Sequence, residues 1–132
     1  MFSKFNVTVL RPFIDDHFII DQTILIDSAL QSAAVTNPCV SVDAKNKVVY
    51  LDAAYPQQVS LISGSGSGHE PSFTGYVGRG MLAAAVSGGI LSAPSQGQIE
   101  VALTKVDGKH GILAIIMNHQ VRYLAAFLEW LI

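Results

Sequence analysis

Residues 63–71 read SGSGSGHEP and stand between a predicted strand and a glycine-punctuated turn. Just before this stretch, Val59 and Leu61 alternate with Ser60, the period of two that is typical of a strand. Glycine at every second position leaves backbone N–H groups without side chains over them, so an oxygen-rich ligand can approach the main chain. The row ends at His69, and histidine is the side chain that most readily exchanges protons near neutral pH. The stretch predicts a glycine-rich loop at a strand end, with a small-molecule site beside it.

The glycine pattern on its own excludes several common sites. No Gly-Lys-Ser/Thr follows, as a phosphate-binding P-loop requires, and His69 stands where the dinucleotide fingerprint needs its third glycine. No serine occupies the centre of a Gly-x-Ser-x-Gly elbow. A tight turn after a strand, carrying a structural surface histidine, therefore stays open as the alternative to a binding site.

Three ordered stretches carry a family resemblance: LISGSGSGHEP at 61–71, GYVGRGML at 75–82 and SAPS at 92–95. Together they resemble the DhaK-type substrate-binding domain of dihydroxyacetone (glycerone) kinases, over about residues 12–118. One departure inside the motif is Ser65, where the family usually has glycine. The resemblance implies an enzyme family of glycerol and ketose metabolism that transfers a phosphoryl group to dihydroxyacetone.

The resemblance also implies which residues form the site. Gly66, Ser67, Gly68 and His69 match the segment that contacts the substrate, and His69 matches the general base for the substrate hydroxyl. An imidazole that accepts this proton typically contributes about 10²- to 10⁴-fold in rate. A satisfied structural histidine is the alternative role for His69.

The resemblance ends close to Asn118. Family members continue with a lysine, an asparagine and Tyr-Thr-Gly-Asp, and their lysine and aspartate also serve the substrate. Here Met117 stands for the lysine, and Arg122 stands for the aspartate. Arginine carries the opposite charge and cannot accept a proton. One half of the implied cleft chemistry is therefore missing.

The last residues, 119–132, form a divergent tail that is apolar almost throughout. The abrupt change at Asn118 suggests a tail from another reading frame or a retained intron, so we expect residues 1–132 to be an incomplete domain and a truncated product. The resemblance implies a later histidine that binds the ketose covalently. It also implies a separate domain or partner that holds the phosphoryl donor, which we expect to be ATP with Mg²⁺ in the parent enzyme; a phosphoprotein donor stays open as the alternative. We therefore expect no cofactor in this chain and no phosphorylation by the chain alone.

Composition limits the partners and the compartment. With 132 residues, 50% of them hydrophobic, the chain is long enough for one domain with a buried core. Eight basic residues against ten acidic ones give no indication of nucleic acid or a membrane surface as partner. The apolar tail is shorter than the roughly 20 residues of a membrane span, and residues 1–20 lack the apolar core of a secretory signal. The single Cys39, expected as a small buried side chain, fits a reducing compartment, and we expect a cytoplasmic protein.

The hydrophobic pattern predicts an α/β fold, a partial doubly wound sheet with mainly parallel strands. Ligands of such sheets bind outside the carboxyl ends of the strands, so the segments starting at Gly64 and Asn118 should face one cleft. The predicted helices cover 22–34, capped by Asp21, then 81–86, ended by Gly88-Gly89, and Ser95 to Val106. The predicted strands cover 40–43, 47–51, 59–63, 90–92 and 111–117. The last of these strands is expected to be parallel and buried.

Other candidate residues have simpler interpretations. Phe73 and Tyr76 are expected to wall the pocket. His17, His110 and His119 have no mutual spacing typical of a metal site, so no metal is expected.

Two function classes remain. The first is an enzyme fragment that binds dihydroxyacetone or a related small ketose. The second is a short non-catalytic paralogue that binds or regulates a full-length kinase subunit. Self-association or pairing with a kinase subunit is the corresponding partner expectation, because an apolar tail needs a covering surface.

Overall fold

The computed structural model describes residues 24–53, 57–67, 69, 72–90 and 92–117. These residues form one five-stranded sheet in the order β1-β2-β4-β3-β5. The elements in chain order are α1 (Leu25–Thr36), β1 (Val40–Asp43), β2 (Val48–Leu51), β3 (Ser60–Ser67), a short 3₁₀ turn (Thr74–Tyr76), β4 (Ala84–Ile90), α2 (Gln96–Val106) and β5 (Ile112–Ile116).

Strands β4, β3 and β5 are parallel neighbours, with β3 in the middle. Strands β1 and β2 form an antiparallel hairpin, and β2 joins the sheet antiparallel to β4. The carboxyl ends of β3, β4 and β5 therefore meet at one edge of the sheet, where α/β proteins bind their ligands. The predicted α/β fold with mainly parallel strands is confirmed for the centre of the sheet, whereas the β1–β2 hairpin adds two antiparallel strands.

The two helices cover opposite faces of the sheet. On one face, Ile99, Ala102, Leu103 and Val106 of α2 pack in a cluster with Ile62 and other residues of the sheet. On the other face, Leu30 of α1 is fully buried in a second cluster that includes side chains from β1, β2 and β4. Within the described ranges no helix is long and apolar enough to cross a membrane.

Helix α2 begins at the residue that the sequence predicts. The Ser95 hydroxyl accepts a hydrogen bond from the Gln98 backbone N–H at 3.4 Å, and Gln98 Oε1 accepts one from the Ser95 backbone N–H at 2.9 Å, so the pair forms a capping box. Gln98 Nε2 also donates to the carbonyl oxygens of Asn46, at 3.0 Å, and Ser87, at 3.3 Å. This one side chain therefore fastens the start of α2 to the β1–β2 turn and to β4.

The segment 81–92 differs from its prediction. Residues 84–90 form β4 and not a helix that ends at Gly88-Gly89, so Ile90 belongs to β4 and does not begin a separate strand. Alanine-rich sequence favours helix locally, but propensity is weaker than tertiary context. Strand β4 lies between β2 and β3 with a helix over each face, and small side chains such as Ala84 and Ala85, both fully buried, fit this narrow space.

The final strand is parallel, as predicted, but it is not buried on both faces. Ile112, Ala114 and Ile116 pack against the α2 cluster. Leu113 and Ile115 point to the opposite face and are 55% and 53% exposed. The apolar run predicts burial on both faces, and among the described residues only α2 supplies a covering element over β5.

Smaller corrections concern α1 and Cys39. Helix α1 begins at Leu25 and ends at Thr36, so its end lies two residues after the predicted end at 34. Asp21, the predicted cap, lies outside the described residues. Cys39 is exposed rather than buried. Its backbone N–H donates to Asn37 Oδ1 at 3.1 Å, while Asn37 Nδ2 donates to the Val77 carbonyl at 3.1 Å. Asn37 thus joins the end of α1 to the segment that follows β3.

The β1–β2 turn contains a carboxylate with a shifted pKa. Asp43 Oδ2 accepts a hydrogen bond from the Asn46 side chain at 2.9 Å, and Oδ1 accepts one from the Asn46 backbone N–H at 3.0 Å. These two bonds, with smaller contributions from Lys105 and Lys45, hold the pKa of Asp43 below its ordinary 3.8. Because the folded pKa is depressed, this stabilisation is fully present above the ordinary pKa and is lost as the pH falls through the folded value.

Asn46→Ala is therefore expected to lower the free energy of unfolding at pH 7 by less than about 1 kcal/mol, since the pair is solvated. The difference from the parent chain should shrink as the pH falls below 3.8. Urea denaturation at pH 7 and in strong acid measures both values, and Asp52→Asn, an exposed carboxylate beyond β2, is the control. An equal loss at both pH values would contradict the assignment.

Candidate functional site

The glycine-rich stretch is mostly strand rather than loop. Strand β3 continues through Gly64, Ser65 and Gly66 to Ser67, four residues past the predicted end at 63. The predicted glycine-rich loop leaving the strand at Gly64 is therefore wrong for residues 64–67. Alternating glycines are compatible with a strand when its neighbours lie close, because they add no side chain to the crowded face.

Backbone pairing changes along this stretch. Gly64 is still flanked on both sides, by Val86 of β4 and by Ile116 of β5. From Ser65 to Ser67 the described ladder continues only with β4. The last three residues of β3 thus extend beyond the described end of β5, at the edge where the carboxyl ends meet.

Ser65, the residue that departs from the family pattern, makes a local hydrogen bond. Its hydroxyl donates to the carbonyl oxygen of the adjacent Gly66 at 2.8 Å. Ser63, two residues earlier, is buried and donates to the Ile115 carbonyl at 2.8 Å, across to β5. The two hydroxyls therefore stabilise backbone near the end of β3, and the substitution at Ser65 leaves the strand intact.

His69 lies two residues beyond the end of β3 and is exposed. Its carbonyl oxygen accepts a hydrogen bond from the Ser72 N–H at 2.8 Å, which closes a turn immediately after the strand. His69 thus follows the carboxyl end of β3 directly, two residues after Ser67 and three after Gly66. Gly68, the fourth predicted contact residue, lies outside the described residues, as do Glu70 and Pro71.

A strained backbone conformation follows the turn. Phe73 has φ 63° and ψ −56°, and the Thr74 N–H donates to the Ser72 carbonyl at 2.9 Å across it. This is a γ-turn of the rare form, which non-glycine residues seldom adopt. Strained backbone conformations of this kind persist only where surrounding contacts hold them, and they are frequent at binding sites. The sequence gives no signal for this feature.

Phe73 and Tyr76 line an apolar hollow of about 280 Å³ on the face of the sheet that α1 partly covers. The prediction that they wall a pocket describes this hollow, but His69 is not among its lining residues. The complete lining is Leu61, Ser63, Phe73, Tyr76, Met81, Leu82 and Ile115.

Three glycines at the ends of β3 and β4 lie close to Ser92, two against its backbone and one against its side chain. A Cβ on Gly66 would lie 2.9 Å from the Ser92 carbonyl oxygen, and a Cβ on Gly88 would overlap the same oxygen. A Cβ on Gly89 would lie 2.5 Å from Ser92 Oγ. We call Gly66, Gly88 and Gly89 the glycine notch. The sequence prediction treated Gly88-Gly89 only as a helix end, although paired glycines inside an apolar run also indicate a close backbone approach.

The remaining sequence candidates lie elsewhere. His110 is exposed in the turn before β5, at the end of that strand opposite to the carboxyl edge. Met117 is the last described residue of its segment, and Asn118, His119, Arg122 and His17 lie outside the described residues, as do residues 119–132. In the part of the chain that the structure describes, no group of three or more His, Cys, Asp or Glu side chains is placed to hold a metal ion.

Comparison with known proteins identifies what the chain resembles as a whole. The Dak1 domain family matches residues 31–125. The chain is 39% identical over 98 residues to the dihydroxyacetone-binding subunit DhaK of the PEP-dependent dihydroxyacetone kinase of Escherichia coli, covering 72% of this chain and 27% of that protein. It is 36% identical over 94 residues to DhaQ, a coactivator of the DhaKLM operon in Lactococcus lactis, covering 71% of this chain and 29% of that protein.

The fold agrees with a solved structure from the same group. The dihydroxyacetone kinase of C. freundii, in complex with AMP-PNP and Mg²⁺, superposes with a TM-score of 0.77 at 30% identity, covering 86% of this chain and 22% of that one. The chain therefore spans less than a third of the length of each of these relatives.

Proposed function

Because the chain belongs to the Dak1 domain family of dihydroxyacetone kinases, we propose that it is a dihydroxyacetone-binding part of such a kinase. The observation that carries the proposal is the position of His69. It lies two residues beyond the middle one of three parallel strands, at the carboxyl edge where ligands of α/β sheets bind.

In this proposal the backbone at Gly66, Ser67 and Gly68 contacts the oxygens of dihydroxyacetone, and His69 accepts a proton from its reacting hydroxyl. The backbone of β3 from Ser65 to Ser67 supports the first role, since its described pairing involves β4 only and it extends past the described end of β5. The exposure of His69 supports the second, because a base must reach the substrate. With a bound nucleoside triphosphate as donor, the proton of the hydroxyl would pass to the imidazole as the hydroxyl oxygen bonds to phosphorus, and the nucleoside diphosphate would be the leaving group.

ATP with Mg²⁺ would supply the phosphoryl group in the parent enzyme, which the complex of the C. freundii kinase with AMP-PNP and Mg²⁺ supports. We propose that another part of that enzyme, outside these 132 residues, binds the nucleotide. The chain alone is then a binding unit without kinase activity.

The test is titration of the isotope-labelled chain with dihydroxyacetone, followed by NMR. Binding with a millimolar dissociation constant, about −4 kcal/mol, is expected from backbone contacts to so small a ligand. Resonance shifts should be largest at Gly66, Ser67 and His69, and absent at Gly108 and His110, near the other end of β5. Glycerol, which lacks the carbonyl group, is the control ligand. Shifts scattered over the apolar hollow, or none at all, would contradict the proposal.

A second function has its own support in the similarity to the operon coactivator DhaQ. In this alternative the chain is a non-catalytic paralogue that binds a full-length kinase subunit. The exposed side chains of Leu113 and Ile115 on β5 support it, since they form an uncovered apolar strip among the described residues.

Sedimentation velocity separates the two functions. A regulator should sediment as a stable complex when mixed with a full-length dihydroxyacetone kinase, and Leu113→Gln with Ile115→Gln should abolish the complex. A binding fragment should sediment unchanged in the same mixture, while retaining its response to dihydroxyacetone.

A further inference from the structure

The glycine notch lies at an irregularity in the sheet. Ser65 of β3 pairs with Ser87 of β4, but the next pair is Ser67 with Ile90. Between these two pairs β3 has one residue, Gly66, whereas β4 has two, Gly88 and Gly89. The two glycines of β4 therefore lie opposite Gly66. An extra residue of this kind is a β-bulge, and bulges near strand ends redirect the chain that follows.

The segment after β4 folds back onto this bulge. The Ser92 N–H donates to the Gly89 carbonyl at 3.0 Å, which closes a turn, and the Ser92 carbonyl oxygen then lies against both Gly66 and Gly88. Ala93 continues into the α2 cluster, and Ser95 caps α2. The Ser92–Ser95 segment is therefore held at one end by the helix cap and at the other by the notch.

Contact with Gly66 connects this segment to the candidate site. Gly66 is separated from His69 by two residues. Its neighbours Ser65 and Ser67 pair with β4, and the Ser92 backbone lies close to where a Cβ on Gly66 would stand. Resting on the proposed function, we propose that Ser92 is a positioning residue for the dihydroxyacetone site: through the glycine notch it sets the position of the β3 end that carries His69.

Gly88 and Gly89 allow a test with a matched control, because a new methyl group at each position would meet a different part of Ser92. A Cβ on Gly88 would overlap the Ser92 carbonyl oxygen, so Gly88→Ala must displace the Ser92 backbone. A Cβ on Gly89 would lie 2.5 Å from Ser92 Oγ, the end of a side chain that can turn away, so Gly89→Ala leaves that backbone in place.

The readouts are dihydroxyacetone affinity and the ring resonances of His69, measured below the melting temperature of each variant. Gly88→Ala is expected to weaken binding about tenfold, the effect of roughly 1.4 kcal/mol, and to shift the His69 resonances. Gly66→Ala, whose Cβ would meet the same carbonyl oxygen at 2.9 Å, is the second variant if Gly88→Ala does not fold, and it should shift the His69 resonances likewise. Gly89→Ala should change affinity less than about threefold and keep parent-like His69 resonances. Gly97→Ala in α2, where a Cβ meets nothing within 4 Å, is the control for substitution of glycine in general.

Unchanged His69 resonances in folded Gly88→Ala or Gly66→Ala would overturn the proposal, as would shifts in Gly89→Ala as large as those in Gly88→Ala. A parent chain that binds no dihydroxyacetone would contradict the proposed function instead. In that case the His69 resonances of the variants still test the proposal, because they report the position of the β3 end without ligand.

Discussion

Gly88→Ala is expected to lower the free energy of unfolding by about 3 kcal/mol or more, because its new methyl group has no space. The Cβ would overlap the Ser92 carbonyl oxygen and would lie 2.7 Å from the Ala93 carbonyl carbon and 2.8 Å from the Pro94 nitrogen. All three are backbone atoms, so no side-chain rotation relieves the collision. Chemical denaturation of the chain at neutral pH measures the loss.

Gly97→Ala is the matched control for this change. Gly97 lies in the first turn of α2, where a Cβ would meet nothing within 4 Å. Alanine there should be neutral or stabilise the chain by up to about 1 kcal/mol, because it restricts the unfolded state and favours helix. A Gly88→Ala chain as stable as the parent would mean that the Ser92–Pro94 backbone does not lie against β4 as described.

Local signals in the sequence predicted the elements whose formation depends on nearby residues. Ser95 and Gln98 supply their capping box within four residues, so the start of α2 was predictable from the motif alone. The two short strands β1 and β2 were also predicted from nearby residues, and hydrogen bonds from Asn46 to Asp43 lie in the turn between them. Neither prediction required knowledge of distant packing.

Elements whose conformation depends on distant partners were predicted less well. The alanine-rich residues of β4 favour helix in isolation, and their strand conformation depends on pairing with β2 and β3. In the same way, the glycines of β3 favour a loop until β4 and β5 are placed beside them. Pairing between segments about 20 or more residues apart leaves no short-range pattern to detect.

The candidate site likewise has one feature that local sequence predicts and one that depends on distant residues. The position of His69 just after a strand followed from the alternation at residues 59–61 and from the motif itself. The contact between Gly66 and Ser92 joins residues 26 positions apart through a bulge, so the sequence indicated both motifs but not their contact. The roles of Gly66, Ser67, Gly68 and His69 toward a substrate stay predictions.

His69→Gln tests the role with the largest expected effect on activity. Residues 31–116 of this chain would replace the matching segment of the C. freundii kinase, so the host supplies every residue from the position of Met117 onward. Glutamine retains hydrogen bonding but cannot act as a base near neutral pH. We expect kcat of the chimera to fall about 10²- to 10⁴-fold, while KM for dihydroxyacetone changes only a few-fold.

The comparison with His110→Gln makes this result specific. His110 is also exposed, but it precedes β5 at the far end of that strand from the carboxyl edge, so its replacement should leave kcat unchanged. Equal kcat values for His69→Gln and the parent chimera would exclude a base role for His69. A rise in KM with unchanged kcat would instead assign His69 to uniform binding of the ketose, because a base acts only as the hydroxyl oxygen attacks phosphorus.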